Sequence, residues 1–180
     1  SKNELFTLAN PFSLTNQVEK EKLEFTFPGI DGKNVSYPNK RYNNKVLIIQ
    51  ILGSWCPNCL DETSFFSELH KQYHQSGLEI LGLAFEIPEK LSDKIERVKD
   101  LKAHYSSKYE FLIAGNASKK EAQQVLPFLS EISSFPTAIF IDKKGKIRKV
   151  HTGFYGPGTG GYYTEYVSEV NLLVESLLNE

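Results

Sequence analysis

The stretch GSWCPNC, residues 53–59, contains both cysteines of the 180-residue chain. Cys56 and Cys59 are separated by two residues, and the chain has no methionine. The β-branched, apolar run VLIIQIL (46–52) comes just before them and predicts a buried strand. The following residues have apolar side chains at steps of three and four, which predicts a helix over 57–76. The cysteine pair therefore lies where a strand gives way to a helix.

This position favours redox chemistry of the two thiols. A helix N-terminus directs free N–H groups and the positive end of the helix dipole toward the side chain of Cys56. Both lower the pKa of a thiol and make it nucleophilic. Cys59 lies one turn further along, on the inward face, and its sulfur can reach the first one. We therefore predict that Cys56 attacks a disulfide and that Cys59 resolves the mixed disulfide.

Three other interpretations of the pair are weaker. A structural disulfide that closes so short a loop removes little entropy from the unfolded chain. A zinc site usually needs four ligands, and two cysteines with scattered histidines leave it incomplete, so we predict no metal in this site. Two unreactive buried cysteines would not need this spacing. A CxxC pair between a strand and a helix is instead typical of a redox motif.

Composition excludes several classes of function. The formal net charge of −1 gives no reason to expect nucleic acid or an anionic membrane as a partner. No apolar run is long enough to cross a bilayer. Residue 1 is Ser and the chain has no Met, so we expect the native start to lie upstream of residue 1. Either a targeting segment was cleaved or the chain was shortened, and the upstream part could include an N-terminal tether.

The rest of the chain predicts one α/β domain over residues 23–180, after a polar lead-in or linker over 1–22. Strands alternate with helices, which predicts a three-layer α/β/α sandwich on a mixed central sheet. The predicted elements are a β-hairpin over 23–37, strands at 46–52, 79–85, 110–113, 137–141 and 146–150, and helices at 57–76, 92–104, 118–129 and 163–178.

Two segments of the chain resemble the thioredoxin fold. They are KVLIIQILGSWCPNC (45–59) and SFPTAIFIDKKGKI (134–147), and the resemblance extends over 23–178. Pro136 follows Cys56 by 80 residues, a longer separation than in simple thioredoxins, because a central helix and strand intervene. With the N-terminal hairpin, this arrangement is similar to the TlpA/ResA-like, AhpC/TSA-related branch of thiol-disulfide oxidoreductases.

The resemblance implies an oxidoreductase that exchanges disulfides with protein clients, as a reductant in the bacterial cell envelope or periplasm. It implies protein thiols and an upstream electron donor as partners, and no cofactor beyond the redox-active disulfide. We also expect a monomer. A peroxiredoxin-like thiol peroxidase is the main alternative, but Gly53, Ser54 and Trp55 stand where its Thr-x-x-Cys pattern is expected. A non-enzymatic metal-delivery or interaction module is the second alternative.

The same resemblance assigns roles to residues around the cysteines. Pro136, which follows Phe135, matches the cis-proline that faces the cysteines in this family and helps to bind the substrate backbone. Trp55 matches a tryptophan that flanks the active site, although simple core packing explains it equally well. We expect Trp55, Pro57, Asn58, Phe135 and Pro136 to contact substrate.

Glu62 is the candidate acid–base residue, at the position where this branch carries an active-site glutamate. It follows Cys59 by three residues and shares its helix face. Partly buried surroundings would raise the pKa of its carboxyl and let it move the proton of Cys59. An exposed glutamate that merely suits the helix dipole is the alternative. Gln50 stands where simple thioredoxins carry a buried acid, and Ser64 stands where a kinking proline is common.

Two further features carry weaker hypotheses. The segment 153–161 has five glycines but lacks a Gly-Lys-Ser/Thr ending, so we interpret it as a connecting or substrate-contacting loop. His70 and His74 are four residues apart on one helix and could bind a metal, but exposed polar residues explain them better. His151 is a weak candidate copper ligand, because copper-carrying thioredoxin folds usually space their cysteines by three residues.

Overall fold

The computed structural model describes residues 23–127, 129, 132 and 134–180, so the predicted lead-in over 1–22 lies outside the described residues. The order of strands and helices confirms the predicted alternation. The strands are β1 (Phe25–Pro28), β2 (Asn34–Tyr37), β3 (Val46–Leu52), β4 (Leu78–Glu86), β5 (Glu110–Asn116), β6 (Thr137–Ile141) and β7 (Ile147–Thr152). The helices are α1 (Pro57–Tyr73), α2 (Leu91–His104), α3 (Lys119–Val125) and α4 (Gly161–Asn179).

The central sheet is mixed, as predicted, and has the strand order β5-β4-β3-β6-β7. β3, β4 and β5 run parallel, whereas β6 is antiparallel to β3 and β7 is antiparallel to β6. The hairpin of β1 and β2 forms a separate two-stranded sheet that touches β5 through a bridge between Gly29 and Leu112. Every residue of β3 is buried, because this strand has neighbours on both sides and a layer on each face.

Each face of the sheet carries its own apolar core. Residues that alternate along β3 belong to different clusters: Ile48 faces one and Ile49 faces the other. The first cluster includes buried side chains of α1, α2 and α4, and the second includes those of the hairpin and α3. The fold is therefore the predicted three-layer sandwich, and α1 packs on the face toward which Gln50 also points.

The predicted end of α3 at about residue 129 is wrong. Ser118 caps the helix as expected, since its side chain accepts the N–H of Glu121 at 3.3 Å. The helix ends at Val125, because Leu126 precedes Pro127 and a residue before proline disfavours helical backbone. α1 ends at Tyr73, and a 3-10 turn over His74–Ser76 continues the helical segment to the predicted end, before a glycine with φ of 108°.

Among the described residues, the structure has no helix that combines the length and the apolar character needed to cross a membrane. α4 is amphipathic instead, and its buried stripe consists of Tyr166, Val170, Val174 and Leu177.

Candidate active site

The two cysteines are joined at the start of α1. Cys56 is the N-cap residue and Pro57 occupies the first turn, where its missing N–H costs nothing. The sulfurs of Cys56 and Cys59 are bonded as a disulfide, and the two Cα atoms are 5.2 Å apart. Cys56 is 6% exposed and Cys59 is fully buried. The first cysteine is therefore the one that a client can approach.

The backbone around Cys56 favours the charged form of its sulfur. The N–H of Cys59 donates to Cys56 Sγ at 3.3 Å, so one of the free donors of the helix end already points at this atom. A thiolate at the same place gains this hydrogen bond and the helix dipole. Cys59 lacks both advantages, because it lies within the helix and is surrounded by the core.

Glu62 is completely buried, so the alternative of an exposed glutamate is wrong. Its carboxylate accepts hydrogen bonds from Gln50 Nε2 at 3.0 Å and from the hydroxyl of Tyr166 at 2.9 Å. Burial raises the pKa of Glu62 to about 7, and the two hydrogen bonds oppose this rise. A carboxyl with this pKa can accept and release a proton at neutral pH.

Gln50 connects Glu62 to a second buried tyrosine. Its amide oxygen accepts the hydroxyl of Tyr109 at 3.1 Å, while its amide nitrogen donates to Glu62 and, at 3.3 Å, to Thr63. The sequence identifies Gln50 only as the loss of a titratable acid. In the structure it is a donor that orients the remaining acid. The sequence analysis missed Tyr109 and Tyr166, because Tyr109, just before β5, and Tyr166, on α4, are remote in sequence from the motif.

A second buried carboxylate holds the segment before Cys56. Glu86, at the end of β4, accepts the backbone N–H of Ser54 at 2.7 Å and its hydroxyl at 2.6 Å. Burial raises the pKa of Glu86, and the hydrogen bonds from Ser54 oppose the rise. The indole N–H of Trp55 donates to the carbonyl of Phe85 at 2.8 Å. The sequence analysis missed Glu86, although an acid that ends an apolar strand was the available signal.

Two of the expected substrate-contacting residues pack against each other. Trp55 is 38% exposed, so it is not a core residue, and its ring lies edge-on to that of Phe135 with centroids 5.5 Å apart. The peptide bond between Phe135 and Pro136 is cis, as expected. The N–H of Gly153 donates to the carbonyl of Pro136 at 2.8 Å, so the glycine-rich segment starts beside this proline.

The remaining expected site residues are Pro57 and Asn58, which are exposed in the first turn of α1. The three histidines considered as ligands lie elsewhere. The interpretation of His70 and His74 as exposed residues is correct for His74 and wrong for His70, which is buried. His151 is buried with its ring 4.6 Å from that of Tyr166, and burial lowers its pKa to about 4.

Residues 17–162 match the family described as Redoxin. The chain belongs to the redoxin family. The thiol-disulfide oxidoreductase ResA of Bacillus thuringiensis subsp. konkukian is 26% identical over 132 residues, which are 73% of this chain and 67% of the relative. These two matches confirm the resemblance that was drawn from WCPNC and from the downstream segment SFPTAIFIDKKGKI.

Solved structures share the fold at lower identity. A thiol:disulfide interchange protein of the thioredoxin family from Chlorobium tepidum is 20% identical with a TM-score of 0.63, and the match covers 86% of this redoxin and 93% of that chain. A hypothetical protein, SMc02350 from Sinorhizobium meliloti, is 15% identical with a TM-score of 0.70, over 92% and 87% of the two chains. The thioredoxin-like fold is thus shared across distant sequences.

Proposed function

We propose that this redoxin is a thiol-disulfide oxidoreductase that exchanges disulfides with protein clients through Cys56 and Cys59. One observation carries the proposal: Cys56 caps α1, accepts a helix N–H and retains some exposure, while its partner Cys59 is buried one turn behind it. This asymmetry supplies one attacking and one resolving thiol. The named activity of the ResA relatives supports the same conclusion.

The exchange proceeds in two balanced steps in the reducing direction. The Cys56 thiolate attacks one sulfur of a client disulfide; the client S–S bond breaks, and the released client thiolate takes up a proton. The Cys59 thiolate then attacks the Cys56 sulfur, which breaks the mixed disulfide and releases the second client thiol. Two electrons pass from the dithiol to the client. An upstream dithiol donor then reduces the new Cys56–Cys59 disulfide for the next cycle.

Glu62 receives the proton of Cys59 before the second step. It lies one turn after Cys59 on the same face of α1, and its pKa of about 7 leaves it partly ionised at neutral pH. Gln50 and Tyr166 hold the carboxylate by both oxygens and so limit the orientations that it can take. Glu62 is thereby suited to deprotonate a thiol that lacks the help of the helix end.

The client contacts the surface around Trp55 and Phe135, with Pro57, Asn58 and Pro136 at its border. An exposed indole packed on a second aromatic ring offers apolar area next to the attacking sulfur. We propose a reductant acting in the bacterial cell envelope, as the resemblance to the TlpA/ResA-like branch implies. The peroxidase alternative is not favoured, because Ser54 and Trp55 replace its expected threonine pattern and the relatives are disulfide exchangers.

The test compares three proteins in insulin reduction, peroxide consumption and trapping of a mixed disulfide with a disulfide-bonded peptide. The wild type should reduce insulin and consume little peroxide. Cys59→Ala should accumulate a peptide adduct on Cys56, because the resolving thiol is gone, and Cys56→Ser should form none. Adducts that form on Cys59 in Cys56→Ser would reverse the two roles. Peroxide turnover faster than insulin reduction would favour the peroxidase.

A further inference from the structure

Three metal-ligating side chains converge at the opposite end of α1 from the cysteines. His70 lies in the last turn of α1, His74 is the first residue after this helix, and Glu79 lies at the start of β4. One ring nitrogen of each histidine and one carboxylate oxygen of Glu79 all lie within 4.8 Å of one another. Fourteen residues of helix separate this cluster from Cys56, which is roughly 20 Å. The cluster is therefore independent of the redox site.

His70 is the least expected member, because it is buried and incompletely bonded. The residue is 4% exposed, and its Nε2 has no hydrogen-bond partner within the part of the chain that the structure describes. The nearest anionic atom is Glu79 Oε2 at 3.9 Å, which is too long for a hydrogen bond. A buried nitrogen left without a partner is costly, and an ion between the imidazole and the carboxylate would satisfy it.

His74 and Glu79 can move to complete such a site. His74 Nδ1 lies 3.5 Å from Glu79 Oε1, and the two imidazole rings have centroids 4.6 Å apart. Ligand atoms at about 2.1 Å from a tetrahedral ion are about 3.4 Å from each other. The side chains of His74 and Glu79 are 51% and 23% exposed, so small rotations can close the remaining distance while His70 stays fixed.

The surroundings also suit a cation. The cluster borders a cavity of about 730 Å³, which gives an ion and its water a path to the site. Two cations of the cavity wall are already engaged: Arg41 pairs with Glu110, and Lys102 donates to a backbone carbonyl.

We propose that His70, His74 and Glu79 form a binding site for a divalent transition-metal ion, for which Zn²⁺ is the best match. Two imidazoles and one carboxylate are ligands that zinc accepts, and the fourth tetrahedral position is left for water from the cavity. The bound ion would tie the end of α1 to the start of β4. It would bind the folded chain alone and therefore stabilise it.

The first experiment titrates untagged, chelator-treated protein with Zn²⁺ in competition with a chromophoric chelator. The Cys56–Cys59 disulfide is kept oxidised, so that thiols cannot bind the ion. The wild type should bind one Zn²⁺ per chain. His74→Ala and Glu79→Gln should each lower the affinity at least about tenfold. Both changes affect partly exposed side chains, so the fold should persist, and circular dichroism checks this. His104→Ala, an exposed histidine of α2, is the matched control and should bind as the wild type does.

A second measurement tests whether the bound ion raises the melting temperature of the folded chain. Saturating Zn²⁺ should raise the melting temperature of the oxidised wild type and of His104→Ala, and should leave those of His74→Ala and Glu79→Gln unchanged. The site is refuted if the oxidised wild type binds no stoichiometric Zn²⁺. It is equally refuted if either His74→Ala or Glu79→Gln keeps wild-type affinity, or if His104→Ala loses it.

Discussion

Glu62 and Glu86 are both fully buried near the cysteine pair, but their surroundings differ. Glu62 lies on the helix after Cys56 and receives its hydrogen bonds from two neutral side chains of distant elements. Glu86 lies at the end of a strand and receives both of its hydrogen bonds from Ser54, in the segment before Cys56. Burial raises the pKa of both carboxyls.

The difference teaches how similar burial can serve two purposes. Within the part of the chain that the structure describes, no positively charged side chain offsets the effect of burial on Glu62, so its pKa reaches about 7 and it can exchange protons. Lys94 and Arg97 add their charges to the hydrogen bonds that favour the ionised form of Glu86. We infer that Glu62 is an acid–base group and that Glu86 anchors the segment that carries Ser54 and Trp55. Four predictions examine this contrast.

The largest expected effect is on the pH dependence of stability. Glu62 has an ordinary pKa of 4.5 and a folded pKa of about 7. Between these values the folded chain keeps a proton that the unfolded chain has lost, so the free energy of unfolding falls as pH rises and levels off above about 7. The fall is about 3 kcal/mol. In Glu62→Gln this contribution should be absent.

Urea unfolding of the wild type and Glu62→Gln between pH 4.5 and 8 measures this contribution of Glu62 to the free energy of unfolding. The difference between the two curves isolates Glu62 from the buried histidines His70 and His151, whose lowered pKa values act with the opposite slope. Parallel curves would show that Glu62 does not titrate in this window.

The second prediction concerns turnover. Glu62→Gln keeps the size of the side chain but cannot accept the proton of Cys59, so the resolving step should slow by about 10²-fold. The pH profile of the wild type should contain an ionisation near 7 that the variant lacks. Stopped-flow measurement of mixed-disulfide decay as a function of pH gives both the rate of the resolving step and its pH profile. Glu68→Gln, an exposed carboxyl on the same helix, should behave like the wild type. Turnover of Glu62→Gln within twofold of the wild type would contradict the acid–base role.

Glu86→Gln should affect stability more than chemistry. The amide retains one acceptor for Ser54 but presents a donor to the other hydrogen, so one charge-assisted bond is lost and the free energy of unfolding should fall by about 1–2 kcal/mol. Trp55 is the only tryptophan of the chain, so its fluorescence should report a looser segment by a shift to longer wavelength. Glu89→Gln, exposed just after β4, is the control. If Glu86→Gln lost the ionisation near pH 7, that ionisation would belong to Glu86 and not to Glu62.

The smallest effect is expected for Tyr166→Phe. The tyrosine hydroxyl donates to Glu62 and thereby lowers the pKa of that carboxyl. Its removal should move the ionisation in the turnover profile to higher pH, by about one unit or less. Tyr162→Phe, exposed on the same helix, should leave the profile in place. A shift to lower pH would mean that the hydroxyl does not stabilise the ionised carboxylate.

The sequence by itself determined the features that depend on near neighbours. Cys56 and Cys59 sit between a buried run and a helical pattern, and period-two and period-3.6 patterns predicted the strands and helices in their correct order. Glu62 could be placed on the face of Cys59, because three residues make nearly one helical turn. The error in α3 was also local, since the preference of the residue before Pro127 was overlooked.

Only the tertiary structure decided what surrounds these residues. Tyr166 is 104 residues from Glu62, and Tyr109 is 59 residues from Gln50, so no local pattern links them. Burial of Glu86 and His70 likewise depends on layers supplied by other parts of the chain. Periodicity reports which face of an element points inward, but the partner that a buried polar group meets is set by how the layers pack, and that partner determines its pKa.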